Sequence, residues 1–136
     1  MKVLSIKEPW ASLIMNGKKK IETRSWKTKY RGEIYIHASL SRVKITKPEI
    51  YELIKDMNFK YGHIICKCNL VDCIYMTDEY INDMKTNHYE EYICGHYEVG
   101  RYAWVLADVK VIKPIEAKGK LGIWNYFDGI LNKKIV

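Results

Sequence analysis

Phenylalanine is nearly missing from this chain: two Phe stand against 11 Tyr and 4 Trp in 136 residues. A purely apolar core would be served by Phe. Tyr and Trp carry a polar tip that wants a partner, so they suit surfaces and pockets with one wet side. Gly and Pro are also scarce, at 8 and 3, which excludes collagen-like and low-complexity chains and predicts short loops. With 48% apolar and 29% charged residues, disorder is excluded as well. No apolar run approaches the ~20 residues of a membrane helix, so no membrane partner is expected. In the opening MKVLSIKEPW, Lys7 and Glu8 interrupt any signal-peptide core, which points to the cytoplasm. The length predicts one domain over residues 1–136.

Several chemistries lack their sequence marks. No phosphate-binding P-loop, dinucleotide glycine fingerprint, HExxH or GxSxG pattern occurs, and no repeat of solenoid period. Of four cysteines, Cys66 and Cys68 fall on one face of a strand rather than at the C-x2-C spacing of a zinc knuckle. In a reducing compartment Cys66, Cys68, Cys73 and Cys94 are expected as free thiols. Neither a metal nor a cofactor is expected.

Charge is plentiful and unevenly placed. The net charge is +7, yet residues 1–47 carry 12 Lys and Arg against 3 acids, residues 48–98 carry 4 against 10, and residues 99–136 carry 7 against 3. If the two basic ends meet in space, they form a basic face with an acidic back or lid. Such asymmetry steers anionic partners. Together with the Tyr and Trp excess, it suggests a nucleic acid or nucleotide.

Val3–Ile6 reads as a short strand. Pro9 suits the first turn of a helix, along which Trp10, Leu13 and Ile14 share a face, and Asn16-Gly17 ends it. Lys18–Trp26 reads as a strand. Residues 33–39 alternate: Ile34, Ile36 and Ala38 on one face, Tyr35, His37 and Ser39 on the other. Thr46 with Glu49 forms a capping box for a helix from Lys47 to about Met57. Gly62–Met76 is rich in strand formers. The acidic stretch, about residues 77–98, holds two short helices, one capped by Thr77 and one opened by an Asn87/Glu90 capping box. Arg101–Lys113 is a strand closed by Pro114. The tail Gly119–Asp128 is a short strand followed by a helical turn. Strands and helices do not alternate regularly, so an α+β fold, a small mixed barrel with peripheral helices, is favoured over a doubly wound sheet.

The most informative segment is Gly17-Lys18-Lys19-Lys20-Ile21-Glu22-Thr23-Arg24, bracketed by Trp10 and Trp26. On an ideal strand Lys20, Glu22, Arg24 and Trp26 share a face, and Lys19 falls opposite. Gly17 can instead hold Lys19 in the turn, before regular pleating starts. Gly17, Lys19, Glu22 and Arg24 match G-x-K-x-x-E-x-R, and here the chain resembles the ASCH domain family of the PUA-like superfamily, in its bacterial and phage type. The resemblance extends to Leu4-Ser5-Ile6-Lys7-Glu8-Pro9-Trp10-Ala11, to Tyr30-Arg31-Gly32 with Ile36-His37-Ala38-Ser39, to Gly100–Leu106 and to Gly119–Trp124. Asp78–Glu98 is the least family-like part.

The resemblance implies a barrel of about 5 to 6 strands whose cleft lies beside the helix preceding the signature. It implies association with RNA, and for some members hydrolase activity. RNA or a modified nucleotide is therefore the expected partner. The expected ligand-binding set is Lys7, Trp10, Lys19, Lys20, Glu22, Arg24, Trp26, Tyr30, His37, Ser39 and Trp124. Either Lys19 or Lys20 enters the cleft, with Arg24 neutralising phosphate, and Trp10, Trp26 or Trp124 stacks on a base. Trp104, inside an apolar run, reads as core. The alternative is a small hydrolase acting on a modified nucleoside or single-stranded RNA, with Lys19 and Glu22 as acid–base residues. PUA-like amidohydrolases place a Thr three residues after the Lys; this chain has Glu22 there, and Thr23 is one place off. A ribonuclease would use Lys19, His37 and Tyr30. A third reading makes the acidic helices a contact for a protein partner.

Overall fold

The computed structural model describes residues 1–127. The helical turn expected toward Asp128 and the Lys133-Lys134 pair lie outside the described residues. The elements run β1 (Lys2–Glu8), α1 (Trp10–Met15), β2 (Ile21–Arg24), β3 (Gly32–Arg42), α2 (Pro48–Ile54), β4 (His63–Tyr75), α3 (Asp78–Asn87), α4 (Tyr89–Ile93), β5 (Tyr102–Glu116) and β6 (Ile123–Asn125). The strands form one mixed sheet in the order β2-β5-β4-β3-β1-β6. β1 and β3 pair in parallel, and the other ladders are antiparallel.

In that order β5, β4 and β3 separate β2 from β1. A flat sheet would hold those two strands about 19 Å apart, at four spacings of roughly 4.8 Å. Yet the Arg24 guanidinium on β2 reaches the Ser5 carbonyl on β1 at 2.8 Å. The sheet therefore curls on itself, as accumulated strand twist allows. No ladder joins β2 to β6 among the described residues, so the fold is α+β with a strongly curled sheet rather than a hydrogen-bonded closed barrel.

Strand alternation explains what each face buries. Ile34, Ile36 and Ala38 of β3 enter the main core with Leu4, Ile6, Ile14, Trp104 and Leu106. On the other side, Val3, Ile64 and Trp124 form a separate cluster. Leu13 of α1 turns away from the main core to meet Ile50 and Ile54 of α2 and Ile93 and Cys94 at the end of α4. That third cluster binds the acidic segment to the helix preceding the signature. The four cysteines are free thiols. Burial pushes Cys66 and Cys68 up to about 12, so they are packing groups rather than thiolates. No helix among the described residues is long and apolar enough to cross a membrane.

Several local expectations shift, each for a physical reason. β5 runs through Pro114 to Glu116. β2 pairs with β5 only at residues 102–105, so near Pro114 β5 is an edge strand, where a missing N–H is tolerated. α2 starts at Pro48, with Lys47 rather than Thr46 at its N-cap, because proline at the first helical position fixes the start one residue later. Asn87 does not open α4. It stays in the last turn of α3, its amide donating to Asp83 at 2.7 Å, and His88 stands at the junction. Thr77 caps α3, accepting from the Tyr80 N–H at 3.1 Å.

Candidate functional site

Gly17, at φ +83°, takes the left-handed conformation that closes α1. The Gly17 and Lys19 N–H groups then bond back to the Ile14 and Leu13 carbonyls at 3.1 and 3.0 Å. Lys18–Lys20 are thus a turn, and β2 begins only at Ile21. This turn folds Lys19 inward until it is 1% exposed. Its ammonium donates to the Ile21 and Cys94 carbonyls, both at 2.5 Å, and lies 3.8 Å from Glu22 Oε1. The Trp10 ring centroid is 5.5 Å away, within cation–π range.

Glu22 and Arg24 share a face of β2, two residues apart. Glu22 Oε2 meets Arg24 Nη2 at 3.1 Å, and the same Nη2 donates to the Ser5 carbonyl. Arg24 Nε is buried without a partner among the described residues. A line thus runs Lys19–Glu22–Arg24–β1, two cations around one carboxylate, buried at Lys19 and Glu22 and part-exposed at Arg24.

Beyond Ser5 the wall continues through neutral groups. The Trp124 indole N–H donates to Ser5 Oγ at 3.0 Å, and Ser5 Oγ lies 3.0 Å from His37 Nδ1. His37 Nε2 sits 2.7 Å from the Ala117 carbonyl. A carbonyl only accepts, so Nε2 carries the proton. Burial holds the His37 pKa below its ordinary value, which leaves Nδ1 to accept from Ser5. Both ring nitrogens are spent on the protein. Gly119 closes this wall: a Cβ there would stand 2.8 Å from His37 Cε1 and 2.9 Å from Ser5 Oγ. Gly119→Ala is expected to cost ~1–3 kcal/mol of unfolding free energy through overpacking, checked by urea denaturation.

These groups border a cleft of about 1530 Å³. Its charged lining is Lys7, Arg24, Lys44, Lys47, Arg101, Lys118 and Lys120 against Glu22 and Glu116. None of the acidic residues of 48–98 lines it. The two basic ends of the sequence therefore do meet across one cleft, with the carboxylates of the middle segment outside. Trp10 and Trp26 line the cleft with Ser39 and His37. Trp26 is 38% exposed and stands edge-on to buried Trp104 at 4.7 Å; the Trp104 indole N–H donates to the Trp26 carbonyl.

The other expected site residues stand elsewhere. Lys19 lies behind Glu22 and supports the wall without lining it; Lys20 is exposed outside the cleft. The Tyr30 hydroxyl is turned away to the Glu33 carbonyl, and Trp124 backs the wall from behind His37. Conversely, Lys44, Lys47, Arg101, Lys118 and Lys120 belong to the cleft but stood outside the expected set. Their signal was the charge excess of the two ends, which names regions and not residues.

The family model of the ASCH domain matches residues 4–116. The chain belongs to the ASCH domain family. Its fold is the PUA-like α+β fold associated with RNA binding. Activating signal cointegrator 1 of Homo sapiens is 35% identical over 83 residues, 52% of this chain and 14% of that protein; its Mus musculus counterpart is 35% identical over 81 residues, with the same shares. The chain thus spans about a seventh of the curated relatives it matches. Two solved structures share the fold. The crystal structure of ASCH from Zymomonas mobilis has TM-score 0.60 at 18% identity, covering 98% of this chain and 92% of that one. A tyrosine-to-phenylalanine mutant of the same Zymomonas mobilis protein has TM-score 0.57 at 18% identity, covering 98% and 94%.

Proposed function

We propose that this ASCH domain binds single-stranded RNA, or a modified nucleotide, in the basic cleft. One observation carries the reading: seven Lys and Arg side chains against two carboxylates line a single cleft, drawn from both ends of the chain, while the acidic middle contributes no carboxylate. Such a lining favours a polyanion through counterion release. Trp26 supplies a part-exposed ring for stacking, and the Arg24 guanidinium, positioned by Glu22 and Ser5, supplies a fixed cation at the wall.

The hydrolase alternative has no comparable support. Glu22 stands three residues after Lys19 and is held by two cations, the Thr23 hydroxyl accepts from the His96 N–H at 3.0 Å, and His37 has no free nitrogen.

Fluorescence anisotropy with a labelled single-stranded RNA tests the binding reading. Trp26→Ala is expected to weaken binding by ~1–3 kcal/mol, the worth of one base–aromatic stack, with the fold intact by circular dichroism. Unchanged affinity removes Trp26 from the site; no binding of the unaltered protein at low salt sinks the reading.

A further inference from the structure

The acidic segment contributes no carboxylate to the cleft, yet it grips the signature. Glu91, in α4, accepts the Lys20 N–H on Oε1 at 2.7 Å and the Ile21 N–H on Oε2 at 3.2 Å. These are the two amides at the point where the turn becomes β2. Three residues on, the Cys94 carbonyl holds the Lys19 ammonium. Next along, the His96 N–H donates to Thr23 Oγ1, and Arg101 ties the Thr23 and His96 carbonyls together at 3.4 and 3.0 Å. Residues 91–96 therefore run along the free side of β2, opposite its β5 partner.

We propose that Glu91 is a positioning residue for the cleft: its carboxylate, bridging the Lys20 and Ile21 amides, sets where β2 begins and thereby where Glu22 and Arg24 stand in the wall. This rests on the reading of the cleft as the RNA site. β2 is only four residues long, so an error in its first hydrogen bonds moves the whole strand. A shift of one residue would exchange the faces of Glu22 and Thr23. Two carboxylate oxygens fit two adjacent amides. A neutral side chain offers only one strong acceptor to that pair.

The bridge needs Glu91 ionised. The groups facing it are Lys19 and Lys20 from the turn, Tyr80 from α3, and Cys94 and Tyr97 from the segment that follows. Burial raises its pKa above the ordinary glutamate value, with the Lys19 charge opposing. Acidification thus protonates Glu91 in the fold before it would in an unfolded chain. Its protonation relieves a burial cost, so it does not unfold the protein; it frees one of the two amides.

The test compares wild type with Glu91→Gln, and with Glu90→Gln as a control of equal charge change on an exposed neighbour. RNA affinity by anisotropy and the backbone amide resonances of Lys20 and Ile21 are followed from pH 7.5 to 5. At pH 7.5 Glu91→Gln is expected to bind about tenfold more weakly, the loss of one hydrogen bond to a charged group. The gap to wild type then closes as pH falls. Any pH effect common to both proteins cancels in that ratio. In wild type the two amides titrate together, and in Glu91→Gln they do not. A constant ratio across pH, or amides that ignore the substitution, overturns the inference. If wild type binds no RNA, the function reading fails, and the amides together with the Arg24 Nε–H resonance still decide whether Glu91 positions β2.

Discussion

Glu22→Ala is expected to lower the unfolding free energy by about 3 kcal/mol, the low end of the cost of removing one partner from a buried ion pair. Lys19 is 1% exposed and Glu22 6%. Without Glu22, the ammonium keeps two neutral carbonyls and loses its nearest carboxylate, 3.8 Å away. Arg24 loses its 3.1 Å partner at the same time and retains only the Ser5 carbonyl on Nη2. The low end applies because Glu91 still faces Lys19 across the turn. Pairing the change with Lys19→Met removes the stranded charge, so the double variant is expected to be more stable than the two single losses summed. Urea denaturation of the four proteins gives the cycle. A Glu22→Ala cost under about 1 kcal/mol would show that the line Lys19–Glu22–Arg24 does not hold the wall.

The second large effect is on binding. Lys44→Glu, Lys47→Glu and Lys120→Glu combined is expected to weaken single-stranded RNA binding by at least ~100-fold at physiological salt, since each reversal removes a counterion-releasing contact and adds repulsion. These three lysines line the cleft from two separate stretches of the chain. Lys55→Glu with Lys85→Glu serves as the control. Both lysines are exposed, sit in the acidic middle segment and do not line the cleft, so their reversal is expected to change affinity only a few-fold. Losses in proportion to the number of reversals, three against two, would mean that net charge rather than the cleft sets the affinity.

Local chemistry was legible in the sequence where neighbours along the chain decide it. The β3 alternation placed Ile34, Ile36 and Ala38 in the core. Thr77 marked the start of α3, and Gly17 the end of α1. The uneven charge foretold a basic face, because composition by region survives folding when the two ends meet. What stayed hidden depends on partners far apart. Nothing near Lys19 tells that its ammonium meets the carbonyl of Cys94, 75 residues on. Periodicity alone could not say whether Lys19 or Lys20 turned inward, since a left-handed glycine delays the pleat until Ile21. Pro114 reads as a strand end unless the strand is known to be at an edge there. Trp124 looks like a stacking ring until His37 and Ser5 are seen in front of it.

An anionic strand held by cations gathered in one cleft must loosen as salt rises. The most direct measurement is the affinity for a labelled single-stranded RNA between about 50 and 200 mM salt, plotted as log K against log salt. Engagement of roughly three to four phosphates predicts a slope of about −2 to −3, at roughly −0.7 for each phosphate neutralised, and a shallower slope by about one or more in the Lys44/Lys47/Lys120 variant. A flat line, or one whose slope is the same in that variant, would mean that the cleft cations do not hold the strand.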